Sequence, residues 1–324
     1  MAFPNFTDIA ASAIESRSRI VADNVTKNAA LLVRLRTKGK MKYFTGGTQI
    51  FQEFAFQENA NFMWYSGNDL LQVNAQDVIS GATFQIKQAA CAVTITGLEE
   101  IQNSGKERML NLMDERLEVA ENTMANNMSA GIFSDGTGFG GKQLTGLGVG
   151  VVANPTTGVY GGVDPSTSVG TFWRNQFTGS LGAQTPATIQ PNMNALWVKC
   201  VRNKNKPDLI VSDNTLYGVY WNSLQALQRF TGDSDVAKLG FSTLKYATAD
   251  FVLDGGFGGF ATANALYYLN TDFIFLRPFE ARDFKPLAPN RRVAINQDAS
   301  VAIIAWAGNL TMNARFAHGF FQAS

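Results

Sequence analysis

The chain has one histidine and two cysteines in 324 residues, and it has no clear excess of either charge. Cys91 and Cys200 stand far apart and outside any Cys-x-x-Cys or Cys/His cluster. That excludes a disulfide framework and a thiolate metal site and fits a reducing compartment. No metal or cofactor is expected. Lys+Arg number 27 against 26 Asp+Glu, so a formal charge of +1 offers no global attraction for nucleic acid, which needs an excess of cations opposite its phosphates. The longest clearly apolar stretch, Val301 to Ala307, is far short of the roughly 18 residues of a membrane-crossing helix. The Met-Ala-Phe-Pro-Asn-Phe start lacks the basic-then-apolar order of a secretory signal. The sequence therefore reads as neither secreted nor membrane-spanning. What is present is bulk: a chain of 35.2 kDa with 45% hydrophobic residues can bury roughly three quarters of its unfolded surface. That is enough for two ordinary domains, or for one large domain with appendages.

Scarcity also argues against catalysis. A Ser-His-Asp or Cys-His mechanism would have to run through His318, which sits among Phe316, Phe320 and Phe321 and reads as a packed side chain. Gly136-Thr-Gly-Phe-Gly-Gly-Lys142 satisfies G-x-G-x-x-G and the opening of a phosphate loop. However, Gln143 stands where a magnesium-holding Ser or Thr belongs, and the segment leaves a helix instead of entering one. Glu99-Glu100 and Asp114-Glu115 are sequence neighbours, so they point in different directions on a helix, as solvated carboxylates do. The chain is expected not to be an enzyme.

Its organisation is more informative. Residues 1–30 are polar and mixed and read as an arm. Arg34, Arg36, Lys38, Lys40 and Lys42 then occupy every second position, which predicts an extended strand with five cations on one face. Such a row repels itself unless something acidic lies opposite; the alternative is a solvated edge strand whose cations block aggregation. Residues 44–97 carry β-type text at Gln49–Phe56, Phe62–Tyr65 and Ala82–Thr96, broken by Gly46-Gly47, Ser66-Gly-Asn-Asp69 and Ser80-Gly81. Phe51, Phe54, Phe56, Phe62, Trp64 and Tyr65 are too many aromatics for a solvated hairpin, which must pack on its own domain or on another chain.

Ser104-Gly-Lys-Glu107 is a capping box, and Leu110, Met113, Leu117, Ala120, Met124 and Met128 follow at three- and four-residue steps, predicting an amphipathic helix to about Ser129. Residues 131–170 read as loops and short strands. An α/β stretch follows: a helix from Thr185-Pro186 to Val201, a buried strand at Leu209–Val211, and a helix capped by Asp213 that runs through Leu216, Tyr220, Leu224 and Leu227 to Thr231-Gly232. Strands are predicted over 241–254, 265–276, 300–307 and 309–317. The class is α+β, without an internal repeat or a linker long enough for independently moving domains.

Seven words of the sequence occur in one order across nearly the whole chain: Trp64-Tyr-Ser-Gly67, Val93-Thr-Ile-Thr-Gly-Leu-Glu-Glu-Ile-Gln-Asn-Ser-Gly105, Glu121-Asn-Thr-Met-Ala-Asn-Asn127, Ser134-Asp-Gly-Thr-Gly138, Phe172-Trp-Arg-Asn175, Lys206-Pro-Asp-Leu-Ile-Val-Ser-Asp-Asn-Thr-Leu-Tyr217 and Leu269-Asn-Thr-Asp272. Together they resemble a tailed-bacteriophage major capsid protein of the Hong Kong 97-like family. The resemblance implies an N-terminal arm over 1–38, an extended β-hairpin loop and flanking strands over 39–97, and a peripheral domain over 98–171 built on a spine helix at about 99–131. An axial domain over 172–260 and return strands of the peripheral domain over 261–324 complete it.

The implied function is self-assembly, as pentamers and hexamers, into the icosahedral shell around a double-stranded DNA genome, assembled in the host bacterial cytoplasm and ending in the virion capsid. Scaffolding, portal and decoration proteins are implied partners, with non-specific contact to packaged DNA and none to membrane. Nothing here resembles a fused scaffolding leader, and the family's cross-linking lysine has no placeable counterpart, so scaffolding in trans and non-covalent stabilisation are expected. The candidate inter-subunit residues are Arg34, Arg36, Lys38, Lys40, Lys42, Phe51, Phe54, Phe62, Trp64, Tyr65, Glu115, Glu118 and Glu121. For the basic row, a neighbour's Glu115, Glu118 and Glu121 are favoured over DNA as the acidic counterpart. The alternative function is a non-enzymatic binding protein whose aromatic hairpin 44–97 grips a ligand or polymer.

Overall fold

The computed structural model describes residues 30–102, 106–224, 243–254, 260–287, 292–293 and 298–323. In chain order these form α1 (Ala30–Thr37), β1 (Gln49–Ala55), β2 (Ile79–Gln85), β3 (Lys87–Thr96), α2 (Gly97–Gln102), α3 (Lys106–Ile132), β4 (Gln176–Leu181), α4 (Ile189–Cys200), β5 (Leu209–Ser212) and α5 (Asn214–Leu224). The remaining strands are β6 (Thr243–Tyr246), β7 (Ala249–Leu253), β8 (Ala265–Leu269), β9 (Ile274–Pro278), β10 (Lys285–Pro286), β11 (Arg292–Val293), β12 (Ala299–Met312) and β13 (Gly319–Ala323). The expected arm up to residue 29, the capping Ser104, and Leu227 with Thr231-Gly232 lie outside the described residues.

β12 is the axis of a five-stranded sheet. β3 pairs with it from Thr96↔Ala299 to Lys87↔Gly308, while β9, β10 and β11 share its other edge. The two strands expected at 300–307 and 309–317 are thus largely one. It continues through Gly308 because a side chain there would collide with the Arg277 carbonyl and the Trp306 ring, so only glycine lets β9 approach. On the edge opposite β9, α3 runs beside β3, with Leu117, Ala120, Met124, Met128 and Ile132 buried as one stripe. The helix extends past Ser129 to Ile132, after which Ser134 bonds back to the Gly131 carbonyl and its hydroxyl to that of Leu144. The side chains of 106–115, including Leu110, Met113 and Glu115, lie outside the described residues.

The second large sheet has the order β4-β13-β8-β5-β7-β6. All of β5 is buried, and its two faces serve different cores. Leu209 and Val211 join the core that contains α3 and the first sheet, whereas Ile210 packs with Met193 and Leu196 of α4 and Leu216 and Tyr220 of α5. β8 divides likewise, with Tyr267 in one core and Tyr268 in the other. Burial on both faces is why these strands read as unbroken apolar runs. One sheet shared by two cores also joins the halves of the chain without a linker.

Two local expectations are corrected. The basic row is not a strand: Ala30–Thr37 is a helix whose Leu31, Leu32 and Leu35 are fully or almost fully buried. Lys40 N–H donates to the Leu35 carbonyl and Gly39 N–H to that of Arg36, with Gly39 at φ +64, so the helix ends in a glycine Schellman cap. Leucines spaced for one helical face outweighed the period-two charges, because burying them contributes far more than spacing apart exposed cations. Beyond the cap, 40–44 runs parallel to β9 with bridges Met41↔Leu276 and Phe44↔Phe279. The strand expected at Phe62–Tyr65 is also absent; β1 and β2 pair directly and the 56–78 connection between them contains no strand.

Candidate inter-subunit surfaces

Three cations of the basic row, Arg34, Lys38 and Lys40, find carboxylates in their own chain. Arg34 reaches Asp208 through Nε at 3.2 Å and Asp250 through Nη1 at 3.2 Å. Lys38 Nζ lies 3.0 Å from Asp208 and 3.3 Å from Asp272, and Lys40 Nζ lies 3.5 Å from Asp272. Lys42 stands over the Phe275 ring, 4.6 Å from its centroid. Arg36 is exposed. The three aspartates come together because β5 and β7 are parallel partners, with Leu209 opposite Asp250, while β8 returns Asp272 to the same end. Burial works to raise the Asp208 carboxyl, but donors from Thr271 N–H (2.7 Å) and Thr271 Oγ1 (2.6 Å), with Lys38, outweigh it and hold the group below its ordinary value.

This corrects the pairing expected with the long helix. Glu118 is exposed, Glu121 is buried at 6% exposure, Glu115 is outside the described side chains, and Asp208, Asp250 and Asp272 answer the row instead. Sequence reasoning missed all three aspartates, because no spacing in the chain marks residues that meet only through sheet pairing.

The hairpin aromatics divide into two sets. On one face of β1 and β2, Ile50, Phe54, Ala82 and Phe84 are buried. Phe54 lies 4.6 Å from Trp173 and Phe84 lies 4.9 Å from Tyr160, measured between ring centroids. Phe54 is therefore intramolecular core, a correction to its place among the inter-subunit candidates. Phe51 faces the other way and lays its half-exposed ring over Gly81, the residue without a side chain on the neighbouring strand.

The connection is different. Phe62 is 74%, Trp64 89% and Tyr65 66% exposed, and Leu70 and Val73, which sequence reasoning passed over, are 92% and 88% exposed. Phe62 and Trp64 meet edge to face at 5.6 Å and otherwise offer their rings to solvent. The usable sequence signal was Leu70-Leu71 directly after the Ser66–Asp69 turn.

The groups weighed for catalysis are placed structurally. His318 is fully buried, its Nδ1 accepts from Asn270 N–H at 3.2 Å, and burial pushes its pKa down to about 3, so the ring stays neutral. Cys200 is buried and its thiol is pushed up to about 12. The Gly136–Lys142 segment follows α3 as a turn, with Asp135 accepting from Thr137 N–H and Oγ1. Among the described residues no group of three or more His, Cys, Asp or Glu could hold a metal ion, and no helix is long and apolar enough to cross a membrane.

No family profile matches the sequence, and no curated protein does so either. Solved structures do match. A chain of the cyanophage A-1(L) capsid asymmetric unit superposes with a TM-score of 0.60 at 14% identity over 87% of this chain and 90% of that one. The capsid of the native GTA particle computed with C5 symmetry gives 0.56 at 11% identity, over 90% and 89%. The capsid of Myoviridae phage XM1 gives 0.51 at 13% identity, over 90% and 92%. The chain has the α+β, Hong Kong 97-like fold of these capsid subunits, as its sequence resemblance implied.

Proposed function

We propose that this chain is a major capsid protein, a structural subunit without catalytic activity that self-associates into the shell of a tailed phage. The observation that carries the reading is the uncovered 56–78 connection. An isolated subunit would leave Phe62, Trp64, Tyr65, Leu70 and Val73 in water, a cost that another copy removes. The fold shared with capsid subunits supports it. In this reading Phe62, Trp64 and Tyr65 are inter-subunit residues. The sheet on β12 with α3 acts as the peripheral domain, and the six-stranded sheet with α4 and α5 as the axial domain.

Contacts of a projecting loop with a different surface on the next copy are heterologous and close into rings, here pentamers and hexamers of an icosahedral shell around double-stranded DNA. Scaffolding and portal proteins would act during assembly in the host cytoplasm, decoration proteins would bind the finished shell, and DNA contact would be sequence-independent.

Sedimentation and negative-stain microscopy of the purified full chain test the proposal. Shells or five- and six-fold capsomers are expected. A chain that stays a folded monomer across concentrations, and binds a polymer through residues 56–78, would instead establish the ligand-gripping alternative.

A further inference from the structure

Residues 313–318 carry the chain from β12 in the five-stranded sheet to β13 in the six-stranded one, and the middle of this crossing is an arginine out of water. Arg315 is 0% exposed. Its guanidinium is held like a fork, with Nε donating to the Gly150 carbonyl at 2.8 Å and Nη2 to the Val149 carbonyl at 3.0 Å. Burial brings its pKa down to about 10, so it is still a cation at neutral pH. The two carbonyls and the Tyr160 ring, whose centroid lies 5.4 Å from Cζ, are neutral partners. Among the described residues no Asp or Glu forms a salt bridge with it. A buried charge without an opposite charge is costly, and folded proteins as a rule pair it.

The polar atoms left over around this guanidinium are mainly donors. Arg315 Nη1 is buried and has no partner. The Tyr160 hydroxyl, on a side chain 1% exposed, gives its proton to no acceptor. It lies at the same turn that holds Arg315, since a Cβ on Gly150 would stand 3.6 Å from the ring carbon that bears it. His318 follows one tight turn on, where its N–H bonds back to the Arg315 carbonyl at 3.0 Å. Its Nδ1 accepts from Asn270 N–H, which puts the ring proton on Nε2, and Nε2 is buried without a partner. Asp208 is the carboxylate whose charge bears on His318, but Arg34, Lys38 and Thr271 already engage it.

We propose that Arg315 Nη1, the Tyr160 hydroxyl and His318 Nε2 form a binding site for a small monovalent anion, chloride, which supplies the counter-charge where the two sheets join. The donor set favours an anion over water. A water molecule must give its own protons to acceptors, and Asn313 Oδ1 is the one unpaired side-chain acceptor of the crossing. Water would also leave the positive charge unanswered. A divalent anion such as sulfate would bury a second negative charge with no cation for it. One cation and two neutral donors match one halide. The site ties the crossing to the 147–150 turn and to Tyr160 within a single chain, so its occupant stabilises the subunit itself and the inference stands apart from the shell reading.

The test is thermal unfolding of the unassembled full chain in sodium chloride against sodium gluconate at equal ionic strength. The wild-type midpoint should be higher in chloride and rise with its concentration, as for a ligand that binds only the folded state. Tyr160→Phe, which keeps the ring and removes the hydroxyl, should need about tenfold more chloride for the same rise. Arg315→Met should lose the dependence. If that variant does not fold, Tyr160→Phe and the wild type in bromide decide, because crystals grown in bromide should show an anomalous peak beside Arg315 Nη1. A wild-type midpoint equal in the two salts, or a Tyr160→Phe chain with an unchanged chloride requirement, overturns the site. So does an Arg315→Met chain that folds and responds to chloride like the wild type. Bromide crystals with no peak at Arg315, or with ordinary water density there, assign the place to solvent and overturn it too.

Discussion

Replacing Arg34 with Ala should destabilise the subunit itself, not only its assembly. Its guanidinium bridges Asp208 and Asp250, and the three side chains are 16%, 18% and 8% exposed, so the pair is mostly out of water. Removing one partner of a buried ion pair costs about 3–5 kcal/mol when the other charge is stranded. Asp208 is not stranded, because Lys38 and both donors of Thr271 stay in place. The loss is therefore placed lower, at about 2–4 kcal/mol, the equivalent of one to two charge-assisted hydrogen bonds.

Urea unfolding of the unassembled chain, followed by tryptophan fluorescence, should show a lower midpoint at unchanged slope. The acid limb gives a second measurement. The folded Asp208 carboxyl is held below its unfolded value of about 3.9, so its contribution is complete above that value and is lost as pH falls through the folded pKa. Asp208→Asn should flatten that limb. A change within about 0.5 kcal/mol for Arg34→Ala, with a defect seen only in assembly, would refute the reasoning and return Arg34 to a neighbour's carboxylates.

Leu117→Ala should cost about 2–5 kcal/mol by the same assay, since the side chain is fully buried at 0% exposure; a loss of a few tenths would mean that α3 does not carry its stripe into the core. Phe62→Ser with Trp64→Ser should leave a folded, soluble subunit that forms no shells, and outright unfolding would show that these rings are core after all. Burial pushes the Asp254 carboxyl up to about 6, so its ionisation opposes folding and stability should rise as pH falls from that value towards the unfolded value of about 3.9. Asp254→Asn should remove this dependence and stabilise the chain by about 1–2 kcal/mol at pH 7; an unchanged pH slope would count against it.

Local sequence carried the elements whose partners are written into their own pattern. The stripe from Leu117 to Met128 appears as read, as does the buried strand at Leu209. Asp213 caps α5 with its Oδ1 accepting from Leu216 N–H at 3.1 Å. These succeed because burial of one face, or a bond three residues away, is visible within a few residues of chain.

The basic row failed for the opposite reason. Its alternation was real, but Leu31, Leu32 and Leu35 decided the conformation, and Arg34 met Asp208 across a separation of 174 residues. The hairpin was half legible. Its aromatic load was plain, yet only the fold showed that Phe54 is covered by Trp173 while Trp64 is left bare. The sequence by itself determined which faces are apolar and which segments carry each charge. What covers each face was decided by sheet pairing between distant segments, because burial is a property of neighbours in space and no local period encodes who they are.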